Sequence, residues 1–347
     1  MKNKDDKIIK KFHAIRGHNQ TTIINYENTL KKYSDFHDLS IDELIKEALN
    51  EQNQKTPHHA LKIYDRLLDF RTECLIPEHK NNSVLSHETR IKTFYKCHRI
   101  EVPFLPSINR KNLQKNPIIT FDDILKKEEI IKGLNHSHIS LKARIMMMIS
   151  SGAAINETQS ISKKMFFNAT YSYHKSETLD EALEILIKKD DVVPIFQLYR
   201  FKTGKPYYSF TTPETVKSIV ESIIYEDNND LNDGLFKYSK GHVNALCKKI
   251  NDRCCFGKAG GYSRFSPHMF RRFNSTQLNQ GLGEENALTM DLVDNLQGRG
   301  KGVTREAYFK NNPEFLRKIY INSMNNVSLY NSYCYDIENK KIIVKKE

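Results

Sequence analysis

The residues able to do chemistry gather between Arg264 and Tyr308. That stretch reads RFSPHMFRRFNSTQL, then an acidic and apolar segment, then VDNLQGRGKGVTREAYFK. His268 and Arg271 stand at i and i+3, which puts them on one face of a helix. Arg299 lies in a glycine-rich turn, QGRGKG, and Tyr308 follows nine positions later, where helical patterning resumes. A phenol, guanidinium groups and an imidazole together suit one reaction. The phenol oxygen attacks a phosphodiester while the cations hold the non-bridging oxygens as charge builds. Arginine suits that task because its planar fork matches phosphate oxygens. Taken singly, an H-x-x-R pair or a tyrosine in a basic helix is an ordinary structural feature. The ordered set is what points to chemistry.

The rest of the chain must position these groups. Its 347 residues are enough for two domains of ordinary size. Lys and Arg number 54 against 42 Asp and Glu, a formal net charge of +12. That balance favours a polyanionic partner, although abundant Lys, Asn and Ile also fit AT-rich coding, so charge alone weighs little. Cys74, Cys97, Cys247, Cys254, Cys255 and Cys334 form no CxxC pair and no zinc spacing. They read as reduced thiols of a cytoplasmic protein. The opening MKNKDDKIIKKFHAIRG lacks the apolar core of a signal peptide. No apolar run reaches transmembrane length, so no membrane partner is expected. No metal and no cofactor are expected either.

Residues 1–18 read as a basic extension, and residues 19–102 as a helical domain. Ile23, Tyr26, Leu30, Tyr33 and Phe36 keep a helical spacing, with Thr21 or Thr22 as a cap. Ser40 precedes a second helix, whose Asp42 and Glu43 suit the dipole. Helices over His59 to Glu78 and Ser83 to His98 complete a four-helix bundle. PFLPSINRKNLQKNP, with three prolines, reads as a linker over 103–118. A larger domain is expected over 119–325 and a tail over 326–347. In that domain Thr120 caps a helix, and the methionines of LKARIMMMISSG read as core filler. PIFQLYRFKTGKPYYSFTT reads as a β-hairpin turning at Gly204. Further helices are expected from Leu179 to Lys188, Thr212 to Ile224, Lys240 to Asn251 and Asn312 to Met324. The fold class is therefore mainly α, a helical bundle plus a mostly helical domain with a small β-sheet.

At these residues the chain resembles the tyrosine recombinase, or phage-integrase-like, family. The H-x-x-R box is similar to His268-Met269-Phe270-Arg271. The L-G-H/W…Y box is similar to Leu296-Gln297-Gly298-Arg299…Tyr308, with Arg299 in the histidine or tryptophan place. AYFKNNPEFLRKIY looks like the archaeal and archaeal-virus branch. The resemblance implies the DNA breaking-rejoining fold, with a core-binding bundle and a catalytic domain that clamp duplex DNA. It implies Tyr308 as nucleophile forming a 3′-phosphotyrosyl link, with Arg271, Arg299 and His268 on the phosphoryl oxygens. It makes Lys202 of the hairpin the general acid, with Lys205 as runner-up. Tyr320 is a second candidate nucleophile. Lys31, Lys32, Arg90, Lys92 and Lys96 of the bundle are the expected phosphate contacts. Lys205, Arg264, Arg272 and Lys301 join them in the larger domain. Double-stranded DNA and a tetramer on DNA are the implied partners.

One box departs from the pattern. Ser151-Gly152-Ala153-Ala154-Ile155-Asn156-Glu157 is similar to T-G-L-R-x-x-E, but the family's first catalytic arginine falls on Ala154. Arg144, Arg200 and Arg299 are the candidates to replace it. An engineered change or an impaired homologue would explain the alanine as well. The alternatives to a recombinase are a type IB topoisomerase-like nicking and closing enzyme and a non-catalytic DNA-binding homologue.

Overall fold

The computed structural model describes residues 2–57, 60–109, 118–281, 287–299, 312–336 and 341–345. Its contacts divide the chain into two units, Met1–Pro117 and Ile118–Glu347. The architecture is mainly helical, with three small two-stranded antiparallel sheets among the described residues.

The first unit carries helices α1 (Lys2–Arg16), α2 (Gln20–His37), α3 (Ile41–Asn53), α4 (Lys62–Asp69) and α5 (Asn81–Cys97). The N-terminal segment is thus not a loose extension. It is a helix that seats Phe12 in the same core as Tyr26, Leu30, Tyr33, Phe70, Phe94 and Tyr95. Asn19, rather than a threonine, caps α2 by accepting from Thr22 N at 3.0 Å. Ser40 and Glu43 form the capping box of α3. After Asp69 the chain continues through a π-helical stretch, Phe70–Leu75. There Arg71 is buried against Glu88 at 2.8 Å and donates to Pro106 O at 2.7 Å. Leu105 is buried in the same core. The first residues of the expected linker therefore pack on this unit. Residues 110–117 lie outside the described residues.

The second unit is built around α7. Its helices are α6 (Lys127–Leu134), α7 (Ile139–Ser151), α8 (Ile155–Gln159), α9 (Lys163–His174) and α10 (Leu179–Leu186). The hairpin β1 (Ile195–Tyr199) and β2 (Pro206–Phe210) follows, then α11 (Pro213–Glu226), α12 (Lys240–Arg253) and the short pair β3 (Lys258–Ala259) and β4 (Tyr262–Ser263). Helices α13 (Pro267–Gln280), α14 (Met290–Leu296) and α15 (Pro313–Ser323) and the hairpin β5 (Ser332–Asp336) and β6 (Lys341–Lys345) close it. Helix α7 is apolar nearly all round, so it is buried all round. It packs along α11 and α13, and Met146, Met147 and Met148 fill its contacts. Thr120 heads a single 3₁₀ turn, Phe121–Asp123, and not a helix; α6 begins four residues later.

The C-terminal residues belong to this unit. Glu214, at the start of α11, accepts from the backbone N–H groups of Leu329 (2.6 Å), Tyr330 (3.0 Å) and Asn331 (3.0 Å). Val327, Tyr333 and Ile342 are buried beside Leu316 and Tyr320.

Candidate functional site

A cleft of about 680 Å³ opens in the second unit, lined by Ala154, Arg200, His268, Arg271, Arg272, Ser275 and Arg299 together with Ile119, Thr120, Phe121 and Ile124. None of the described residues that line it is acidic. Each wall follows from a local sequence feature.

Helix α7 ends at Gly152, whose φ of +66° is the left-handed cap that glycine favours. The site is also crowded: a Cβ at Gly152 would lie 2.4 Å from Asn274 Oδ1 and 2.5 Å from Gln297 Nε2. The carbonyl of Gly152 accepts from Arg271 Nη1 at 2.6 Å, and Gln297 O accepts from Arg271 Nη2 at 2.8 Å. Arg271 is thereby fixed between the end of α7 and the end of α14. Beneath it, Asn274 donates to Ile149 O and Ser150 O, and Gln297 Nε2 donates to Asn274 Oδ1 at 2.6 Å. These buried amides thus find partners, as buried polar groups must. Asn274 stands three residues after Arg271 on the same helix face, within the small polar run that follows the H-x-x-R pair.

Glu157, 1% exposed, is the anion under the cleft. Its Oε2 accepts from Ala154 N (2.7 Å) and Tyr207 OH (3.0 Å), and lies 3.5 Å from Arg271 Nη1. Its Oε1 pairs with Arg200 Nη1 at 2.6 Å. A buried carboxylate needs such partners. Burial and then the neighbouring Glu157 raise the phenol of Tyr207 well above its ordinary range. Burial, and then the positive charge of Arg200, lower Arg271 to about 10.

Arg200 reaches Glu157 because of strand parity. Phe196 and Leu198 are buried, Tyr199 and Phe201 are exposed, and Arg200 continues the inward set of a period-two strand. The turn after β1 pins it. Arg200 N donates to Lys205 O (2.8 Å), and its own carbonyl accepts from Gly204 N (2.7 Å), with Gly204 at φ +68°. Lys202 and Lys205 are exposed in that turn and do not line the cleft.

Arg299 donates through Nη2 to Ser275 Oγ (3.0 Å) and lies 3.4 Å from Asp294 Oδ1. His268, on the first turn of α13, accepts from Arg272 Nε at 3.1 Å and packs on the ring of Tyr262. Burial, then Arg272, Arg271 and Arg299, lower its pKa. The imidazole is therefore neutral near pH 7, as its acceptor role also requires.

Other residues singled out in the sequence are engaged elsewhere. Arg144 is fully buried and donates to Thr158 Oγ1, Gln159 Oε1, Tyr238 O and Ile155 O, holding α8 against α7. Arg264 spends all its donors within the protein, on Glu129 (3.0 and 3.1 Å), Asp123 O, Phe256 O and Ile124 O. Tyr320 is buried, donates to Ser150 O at 2.9 Å, and has its pKa driven up by burial. It is a core residue. In the first unit Lys31 pairs with Asp35, Lys32 with Glu78 and Lys92 with Glu88, while Arg90 donates to Thr29 and Lys96 is exposed. Tyr308 and Lys301 lie outside the described residues. No helix among the described residues is long and apolar enough to cross a membrane. No group of three or more His, Cys, Asp or Glu side chains among them is placed to hold a metal ion.

No family model and no curated protein matches the chain. Solved structures do. Those it is similar to include recombinases and integrases. XerH site-specific recombinase bound to difH substrate aligns at a TM-score of 0.49 and 11% identity, covering 91% of this chain and 81% of that one. A lambda integrase dimer bound to a COC′ core site gives 0.47 and 12%, over 87% and 76%. XerA recombinase gives 0.38 and 14%, over 90% and 97%. Likeness at this level carries no argument about chemistry, which rests on the side chains of the cleft.

Proposed function

We propose that this protein is a site-specific DNA recombinase that cleaves and rejoins duplex DNA through a 3′-phosphotyrosyl intermediate. One observation carries the reading: Arg200, Arg271, Arg299 and neutral His268 line one cleft, with no carboxylate among the described residues that line it. Such a cleft suits a phosphodiester, whose charge spreads over non-bridging oxygens as a nucleophile attacks. Tyr308, nine residues beyond Arg299, is the nucleophile. Arg271 and Arg299 bind the phosphoryl oxygens. His268, neutral in the folded protein, accepts or relays a proton. Lys202 protonates the departing 5′ oxygen, entering with the hairpin tip when DNA is bound. A 5′ hydroxyl from a second strand then reverses the step. The bond energy is kept in the phosphotyrosine, so no nucleotide is consumed.

The assembly that fits this exchange is a tetramer on DNA in the cytoplasm of a prokaryotic host. The residues after Tyr308 favour an archaeal or archaeal-virus origin. The test is a duplex nicked just 3′ of the cleavage position, which traps the covalent adduct by release of the short product. Wild-type protein forms the adduct and Tyr308→Phe does not, while both bind the duplex alike. An adduct with Tyr308→Phe would overturn the assignment of the nucleophile. No adduct with the wild type on any site selected from a random library would overturn the function.

A further inference from the structure

We infer that Arg200, from the hairpin, supplies the guanidinium that Ala154 cannot, and contacts the scissile phosphate directly. This rests on reading the cleft as a phosphodiester site. Ala154 lies on the cleft wall at the N-cap of α8, and its methyl group offers no donor. Arg200 lines the same cleft and approaches from the other side of Glu157. Its side chain is 23% exposed, against 1% for Glu157. Among the described residues its guanidinium makes one bond, Nη1 to Glu157 Oε1 at 2.6 Å. The other N–H groups of the fork have no partner among the described residues.

The rival sources are otherwise occupied. Arg144 is fully buried with its donors turned to α8 and to Tyr238 O. Arg299 has its guanidinium engaged by Ser275 Oγ and Asp294. Arg200 also has the two properties that a phosphate-binding donor needs. Its backbone is fixed by the turn bonds to Gly204 and Lys205, and its side chain is fixed by a buried carboxylate. A donor held in place before the substrate arrives needs no reorganisation during the reaction. Glu157 thus orients two arginines at once, Arg200 through Oε1 and Arg271 through Oε2.

The experiment compares adduct rates on the nicked duplex for wild type, Arg200→Ala, and Arg200→Ala combined with Ala154→Arg. Each variant is checked for native circular dichroism and for duplex affinity. A second duplex carries a neutral methylphosphonate at the scissile position. Arg200→Ala is expected to slow the adduct on the ordinary duplex roughly 10²–10³-fold with duplex affinity nearly unchanged. The second substitution, which returns a guanidinium to the wall from α8, is expected to recover much of that loss. The methylphosphonate is expected to shrink the gap between wild type and Arg200→Ala, because it removes the charge that Arg200 meets. A purely structural arginine would show the same loss on both duplexes and no recovery. If the wild type forms adduct and Arg200→Ala keeps its rate, the assignment of Arg200 fails alone. If the wild type forms none, the reading of the cleft fails and takes Arg200 with it.

Discussion

The ring of Tyr207 occupies the space that a side chain on Gly298 would need. A Cβ there would lie 2.5 Å from Tyr207 Cδ1 and 2.6 Å from Cγ, and Gly298 has φ +63°. The same tyrosine donates its hydroxyl to Glu157. One side chain on β2 therefore ties the buried carboxylate to the turn that carries Arg299.

That relationship makes Gly298 a sensitive position. Gly298→Ala adds a left-handed backbone cost of about 1–2 kcal/mol and a clash with a buried ring that cannot swing away without releasing Glu157. The thermal midpoint is expected to fall, and the adduct rate to fall further than the midpoint explains, because Arg299 is displaced. Tyr207→Phe keeps the ring and loses only the hydroxyl. It is expected to lower stability by about 1–3 kcal/mol and to leave Arg299 in place. Equal effects of the two substitutions on adduct rate would show that the ring does not set the turn.

Much of the fold was legible in the sequence because periodicity reports burial. The methionine-rich α7, the Lys-Thr-Gly hairpin and the helix that follows Ser40 all stand where their patterns place them. The N-terminal helix was not, since only Phe12 and a few isoleucines in KNKDDKIIKKFHAIR mark a face among charges. The arginines were harder still. Arg144, Arg200, Arg264 and Arg271 look alike in the sequence. What separates them is tertiary: which carboxylate or carbonyl each meets, and how much of the fork is left over. Strand parity was the one signal pointing Arg200 inward.

Duplex binding should be strongly salt-dependent, because neutralised phosphates release counterions. The slopes separate the basic residues. Lys96→Ala, at an exposed lysine, is expected to flatten the log–log salt slope by about one unit. Arg264→Ala is expected to leave that slope unchanged and to lower stability instead, since it strands Glu129 and three carbonyls. Binding competition across a salt series, with thermal melts of the same proteins, distinguishes them. A flattened slope for Arg264→Ala would show that its internal bonds open on DNA.

Acid should destabilise the first unit before its carboxylates titrate. His87 is lowered to about 4 by burial, then by His79, Arg90 and Lys32. His13, His18, His37 and His79 are lowered too, each chiefly by burial. In the unfolded chain these rings take up a proton near pH 6.5. Below that pH the unfolded state holds more protons than the folded one, so stability falls as pH drops from 6.5 toward 4. Melting midpoints over that range are expected to decline, and His87→Gln is expected to make the decline shallower. A decline that begins only below pH 4.5 would assign acid sensitivity to carboxylates.

The alanine itself gives the sharpest test of how the cleft is furnished. The backbone at Ala154, φ −76° and ψ 159°, accepts any side chain. Ala154→Arg in the otherwise natural chain therefore tests electrostatics and not strain. Glu157 is already shared by Arg200 and Arg271, so a further guanidinium finds no free carboxylate beneath it. It would share the cleft with Arg200, which bonds the same carboxylate that the Ala154 N–H meets, and like charges repel. The adduct rate is expected to stay level or to drop, and duplex affinity to change little against the many other cationic contacts. A gain of about 10²-fold, the usual worth of one missing donor, would mean that the natural chain lacks a guanidinium at this wall. Arg200 would then be a brace for Glu157 and nothing more. Rates from single-turnover trapping, on the same nicked duplex, decide between the two.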